Sequence, residues 1–138
     1  MNIQEAIRAD LVANADILAH VSTRVYYGER PQNSALPAIT IEEIGGGESF
    51  QDMTAGTVGV AIEPFQINCW AATPDAALAI REHVKIELQN HIHALMGGAG
   101  GVHVWACIFR GKSAGYDPVS QTYAASIDFD VIHRESSS

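Results

Sequence analysis

Asp128 and Asp130 form a carboxylate pair whose type and spacing could do chemistry. They lie two apart in a segment of strand-like alternation, Thr122 to His133, so both point to one face, roughly 7 Å apart. Such a pair can exchange protons or hold a hard cation. No third oxygen ligand is suggested beside it, so a solvated strand face accounts for the pair. A contact with Arg110 or Arg134 of a neighbouring subunit is the alternative. Glu42 and Glu43 are adjacent on a predicted strand and point to opposite faces.

The histidines are His20, His83, His91, His93, His103 and His133. None makes HxH on a predicted strand, HExxH on a helix, or a zinc-finger spacing with a cysteine. His91 and His93 fall two apart on a predicted helix, where side chains diverge by roughly 200°, so they share no metal and read as a solvent-facing helix end. Cys69 and Cys107 lie in predicted strands outside any CxxC pair. Buried free thiols in a reducing compartment are the simpler reading, and a disulfide between neighbouring strands is the alternative. No serine stands in GxSxG or SxxK. These patterns predict no catalytic, cofactor-binding or metal-binding residue. An enzyme built on Asp128 and Asp130 would need His103 or His133 to meet them in a concave pocket.

The elements that would position these residues follow from periodicity. Ile3, Ile7 and Leu11 predict a helix over 3–12, and Asp16 could cap a short turn running to His20. Val25-Tyr26-Tyr27 reads as a brief strand, and Ala38 to Glu42 alternates as a half-buried one. Gly45, Gly46 and Gly47 open a soft stretch to Thr57 that predicts a mobile excursion rather than a ligand-cradling turn. It lacks the ending of a phosphate loop and the spacing of a dinucleotide fingerprint.

Val58 to Trp70 reads as a long strand, with Pro64 marking an edge or a bulge. Trp70 falls on its more polar face, covered either by another subunit or by a loop. Thr73 and Pro74 then start the longest helix, predicted to reach Met96, with Ala77, Ile80, Val84, Leu88, Ile92 and Leu95 as its apolar stripe. Val102 to Arg110 is apolar on both faces, which predicts a central strand covered on both sides. GKSAGYDP, residues 111–118, reads as a turn. The expected fold is α+β: an antiparallel sheet of about four strands packed against one long helix, plus a short N-terminal helix.

The chain has 138 residues, which fits one domain over residues 1–135, with a disordered tail at 136–138. Charged residues make up only 17%, against 47% apolar, which fits a subunit that buries surface against copies of itself or a chain rich in glycine and alanine. The net charge of −8 comes from 16 acidic and 8 basic residues with no basic cluster, so tight binding to nucleic acid or to a membrane surface is not expected. The opening MNIQEAIRAD predicts no signal peptide, and no stretch approaches the length of a membrane helix.

The order of features carries a resemblance. Leu36-Pro37-Ala38-Ile39-Thr40-Ile41 follows a Pro-containing loop, and Gln66-Ile67-Asn68-Cys69-Trp70-Ala71 runs directly into the helix containing Ala76-Ala77-Leu78-Ala79-Ile80. Tyr123 to Val131 closes the chain as a last strand. Over residues 3–133 this resembles the tail-completion or tail-terminator proteins of long-tailed bacteriophages and prophages, including small head–tail joining proteins. The resemblance implies a structural subunit without enzymatic activity or cofactor, found in the virion tail and in the host bacterial cytoplasm during assembly. It further implies a homo-oligomeric ring, typically a hexamer, that caps the tail tube, docks to the head connector and lets DNA pass without gripping it. The candidate assembly surface is then Gly45, Gly46, Gly47, Phe50, Trp70, Asp128 and Asp130. A monomeric module that binds another protein is the alternative.

Overall fold

The computed structural model describes residues 2–31, 34–45, 48–50, 60–98 and 100–134. Two short helices open the chain, α1 (Ile3–Ala13) and α2 (Ala15–Val21). Asn2 caps α1 by accepting from the Glu5 N–H. Asn14, not the expected Asp16, caps α2: its side-chain oxygen accepts from the Asp16 and Ile17 N–H groups. The strands β1 (Val25–Tyr27), β2 (Ala38–Glu43), β3 (Glu48–Phe50) and β4 (Val60–Ala71) follow. The helix α3 (Pro74–Gln89) and the strands β5 (Ile92–Met96), β6 (Val102–Asp117) and β7 (Thr122–Arg134) complete the fold.

All seven strands join one sheet in the order β1-β2-β4-β7-β6-β5, with β3 added beside β4. β1 runs parallel to β2, and every other pair is antiparallel. The expectation of about four strands against one long helix is therefore corrected to seven strands and three helices among the described residues.

The largest correction concerns residues 90–96. The predicted helix to Met96 ends at Gln89, where the Asn90 N–H closes the last turn onto the Ile86 carbonyl. Ile92 and Leu95 continue the helical spacing on paper, yet they are 65% and 57% exposed, while Met96 is fully buried. Pairing with β6, in the register Leu95↔His103 and Met96↔Val102, is what organises this segment. Gly97 and Gly98 adopt positive φ and turn the chain back. Gly101 follows so close to the Met96 carbonyl that any Cβ there would clash.

Two other expectations fail for physical reasons. GKSAGYDP is not a turn, because β7 is long enough to need a partner along its length, and β6 continues to Asp117 to provide it. The turn is Pro118–Gln121, held by the Asp117 carboxylate accepting from the Val119 N–H and the Ser120 hydroxyl. Pro64 does not mark an edge or a bulge, since β4 is central. Its carbonyl accepts from the Ile44 N–H at 3.0 Å, so its nitrogen faces the gap where β2 has ended and β3 has not begun. Proline cannot donate the return bond of this pair, and β2 ends at Glu43, beside it.

The core lies on one face of the sheet. Ile3, Ile7 and Leu11 of α1 and Ile80, Val84 and Leu88 of α3 cluster with Ile39, Ile41, Phe65, Ile67, Ile127, Phe129 and Val131. In β6 the alternation is broken. Register shifts between Val104 and Ala106 and between Phe109 and Gly111 mark bulges that reset which residues face inward. Val102, Val104 and Cys107 are consequently the buried ones, and Ile108 is 43% exposed on the opposite face. Cys69 and Cys107 are buried free thiols on β4 and β6, separated by β7, so the disulfide alternative does not hold. Burial pushes both thiols up to about 12. Among the described residues no helix is long and apolar enough to cross a membrane.

Candidate assembly surface

The register of the three central strands sets the face opposite the helices. Pairing of Gln66 with Asp128 and of Pro64 with Asp130 puts both aspartates on that face, as the alternation predicted. Each finds a partner within its own chain. The Gln66 amide donates to Asp128 Oδ1 at 3.1 Å, and Arg110 Nε lies 3.4 Å from Asp130 Oδ2. One row inward, the Ser126 hydroxyl donates to Asn68 Oδ1 at 2.5 Å, and Asn68 is only 7% exposed.

Trp70 sits at the β4 end of the same face. Its indole N–H donates to the Thr40 hydroxyl at 3.0 Å, and the Arg30 guanidinium lies 5.7 Å from the ring centroid. The loop after β1 therefore covers part of the ring. Of the glycines, Gly45 takes φ +110° with open space around it, while Gly46 and Gly47 lie outside the described residues. Glu48–Phe50 is a strand paired with β4 rather than part of a structureless excursion; the Phe50 side chain and residues 51–59 lie outside the described residues.

The histidines do not join the aspartates. His133 is buried on the helix side, with Nε2 3.6 Å from Glu63 Oε1, and the register places Ala61 and not an aspartate beside it. His103 pairs opposite Leu95 on β5, several rows from Asp130, whose partner on β6 is Ile108.

Sequence reasoning missed two features. The first is the β5 edge of the sheet, unpaired among the described residues, with exposed Ile92 and Leu95 and, on β6, exposed Ile108. Its signal was hidden in a false helical repeat. The second is a polar cluster between α1 and the end of α3. His91, expected to face solvent, places Nε2 2.8 Å from Asp10 Oδ1 and 3.4 Å from Glu87 Oε2. The Asn14 amide donates to Glu87 Oε1 at 2.7 Å. Burial pushes the Asp10 carboxyl up to about 6 against the pull of His91, and the Glu87 charge adds to the rise. The sequence signal was the helical pair Glu87 and His91 at i,i+4; Asp10, 81 residues from His91, gave none.

A search of curated proteins returned no match. Among solved structures, a chain from the virion of a native gene transfer agent (GTA) particle is similar in fold, with a TM-score of 0.70 at 19% identity over 96% of this chain and 95% of that one. A family model described as "Tail completion protein gp17" matches residues 5–134. The chain belongs to this tail completion protein family, and it is a structural component of a phage virion tail rather than an enzyme.

Proposed function

We propose that this subunit assembles with copies of itself into a ring, a hexamer in the expected arrangement, which caps the tail tube and joins it to the head connector. The observation that carries the reading is the β5 edge. Among the described residues no strand pairs with its outer border, Ile92 and Leu95 are exposed on it, and its sequence Ile92–Met96 holds no Lys, Arg, Asp, Glu or Pro of the kind that usually guards such an edge. In a tail-completion protein, a neighbouring subunit is the natural cover for it. The helix-free face, with Trp70, Asp128 and Asp130, and the chain around Gly45 are the remaining contact surfaces in this reading.

The charge balance supports passage of DNA without grip. Eight more acidic than basic residues, with Glu42 alongside the aspartates on the strands, repel a phosphate backbone.

Light scattering of the purified chain, alone and with tail-tube subunits, tests the reading. A discrete oligomer or a mixed complex is expected, and Ile92→Asp with Leu95→Asp should abolish it while leaving the circular dichroism unchanged. A strict monomer at high concentration that ignores tail-tube subunits overturns it and favours the monomeric binding module.

A further inference from the structure

We propose that Asp10, Glu87 and His91 form a binding site for a divalent transition-metal ion of the zinc class, which clasps α1 to the bend between α3 and β5. Nothing in the tail-assembly reading depends on this site, and it lies apart from the strand carboxylates.

Three features of the geometry point to it. First, one donor atom from each residue lies within 4.8 Å of the other two. Zinc binds imidazole nitrogen and carboxylate oxygen at about 2.0–2.2 Å, which separates ligands at a tetrahedral angle by about 3.3–3.6 Å. The imidazole-to-carboxylate separations of 2.8 and 3.4 Å are close to that spacing, so small side-chain movements suffice to admit an ion.

Second, the protein-only network is incomplete. His91 has one N–H in the cluster to share between two carboxylates. Asp10 Oδ2 is buried with no hydrogen-bond partner among the described residues. A second buried oxygen on Asp10 gives an ion an additional arm, and two carboxylates held close together with only 14% and 22% of their side chains exposed favour a cation between them. Asp128 and Asp130 show no such deficit, because Gln66 and Arg110 already serve them.

Third, Glu87 is held from behind. The Asn14 amide donates to its other oxygen at 2.7 Å, the kind of outer contact that orients a metal-binding carboxylate. One imidazole with two carboxylates suits zinc and its neighbours in the first row better than calcium or magnesium, which prefer oxygen alone.

The test uses the full chain stripped with a chelator and titrated with zinc chloride by calorimetry, and with cobalt(II) as a spectroscopic stand-in. The expected result is one ion per chain, a visible cobalt ligand-field band, and a higher melting temperature with zinc. Glu87→Gln is the most informative variant, since its amide oxygen can still accept from Asn14 and the fold is expected to persist. It should weaken binding by about tenfold or more, as should Asp10→Asn. Should Asp10→Asn fail to fold, paramagnetic broadening of the His91 ring resonances by cobalt in the unaltered protein decides the question. Absence of saturable binding, equal affinity in Glu87→Gln, or loss of binding in the Cys69→Ser/Cys107→Ser double variant would each overturn the proposal.

Discussion

Successive residues of β7 occupy two different environments. Ile127, Phe129 and Val131 are 0–1% exposed beneath the helices, while Asp128 and Asp130, their immediate neighbours, stand on the opposite face, partnered by Gln66 and Arg110. The first set carries the stability of the fold. The second leaves a broad polar surface that the fold does not need for itself, and a structural subunit can spend such a surface on neighbours.

Phe129 should show the inner extreme. It packs edge-on against Phe109, with ring centroids 6.1 Å apart. Phe129→Ala is expected to lower unfolding free energy by about 3–5 kcal/mol, measured by chemical denaturation. A loss no larger than that of its outer neighbours would break the contrast between the faces. Cys69 tests the same face by chemistry. Its thiol, pushed up to about 12 from an ordinary value of 9.0, leaves roughly a thousandfold less thiolate near neutral pH. Native protein at pH 8 should not react with a thiol-specific reagent, and both cysteines should react once it is denatured.

Asn68 shows where the contrast needs sharpening, since the helix-free face is not uniformly wet. Asn68 is buried there and depends on Ser126 for a hydrogen bond. Ser126→Ala strands a buried carbonyl oxygen and should lower stability by about 1–3 kcal/mol. A change near zero would mean that water reaches Asn68 and that the whole face is solvated.

The sequence made some of this legible. Alternation placed Asp128 and Asp130 together, and Thr73-Pro74 located the start of α3, because both signals are local. The end of α3 was not legible, since Ile92 and Leu95 satisfy a helical spacing and only pairing with β6 shows that the chain has become a strand. The bulges of β6 were equally hidden. Val102 to Phe109 alternates without a break on paper, and the shift at Trp105 exists only relative to β7. Long-range pairing also explains β3 within the glycine-rich stretch. The Asp10, Glu87 and His91 cluster lay beyond reach for the same reason, as helix packing alone brings Asp10 to His91. The strand carboxylates were noticed because they are close in sequence, and they prove to be the pair already served by its own chain.

The smallest effect should come from the outer ion pair. Arg110 is 63% exposed at its side chain and Asp130 24%, and Nε of the guanidinium lies 3.4 Å from Asp130 Oδ2. A solvated pair of this kind contributes about 0–1 kcal/mol, because water already serves both charges and ordering the arginine opposes the gain. Arg110 also occupies a bulge, since Phe109 pairs with Phe129 and Gly111 with Asp128, which leaves its side chain out of the regular ladder. A double-mutant cycle between Arg110→Ala and Asp130→Asn in the isolated chain should therefore give a coupling below about 1 kcal/mol that fades with added salt. In the assembled state the same substitutions carry a second reading. If neighbouring subunits cover this face, Asp130→Asn should alter assembly at a cost to the isolated fold too small to account for it. Equal, small effects in both states would confine the subunit contacts to the β5 edge.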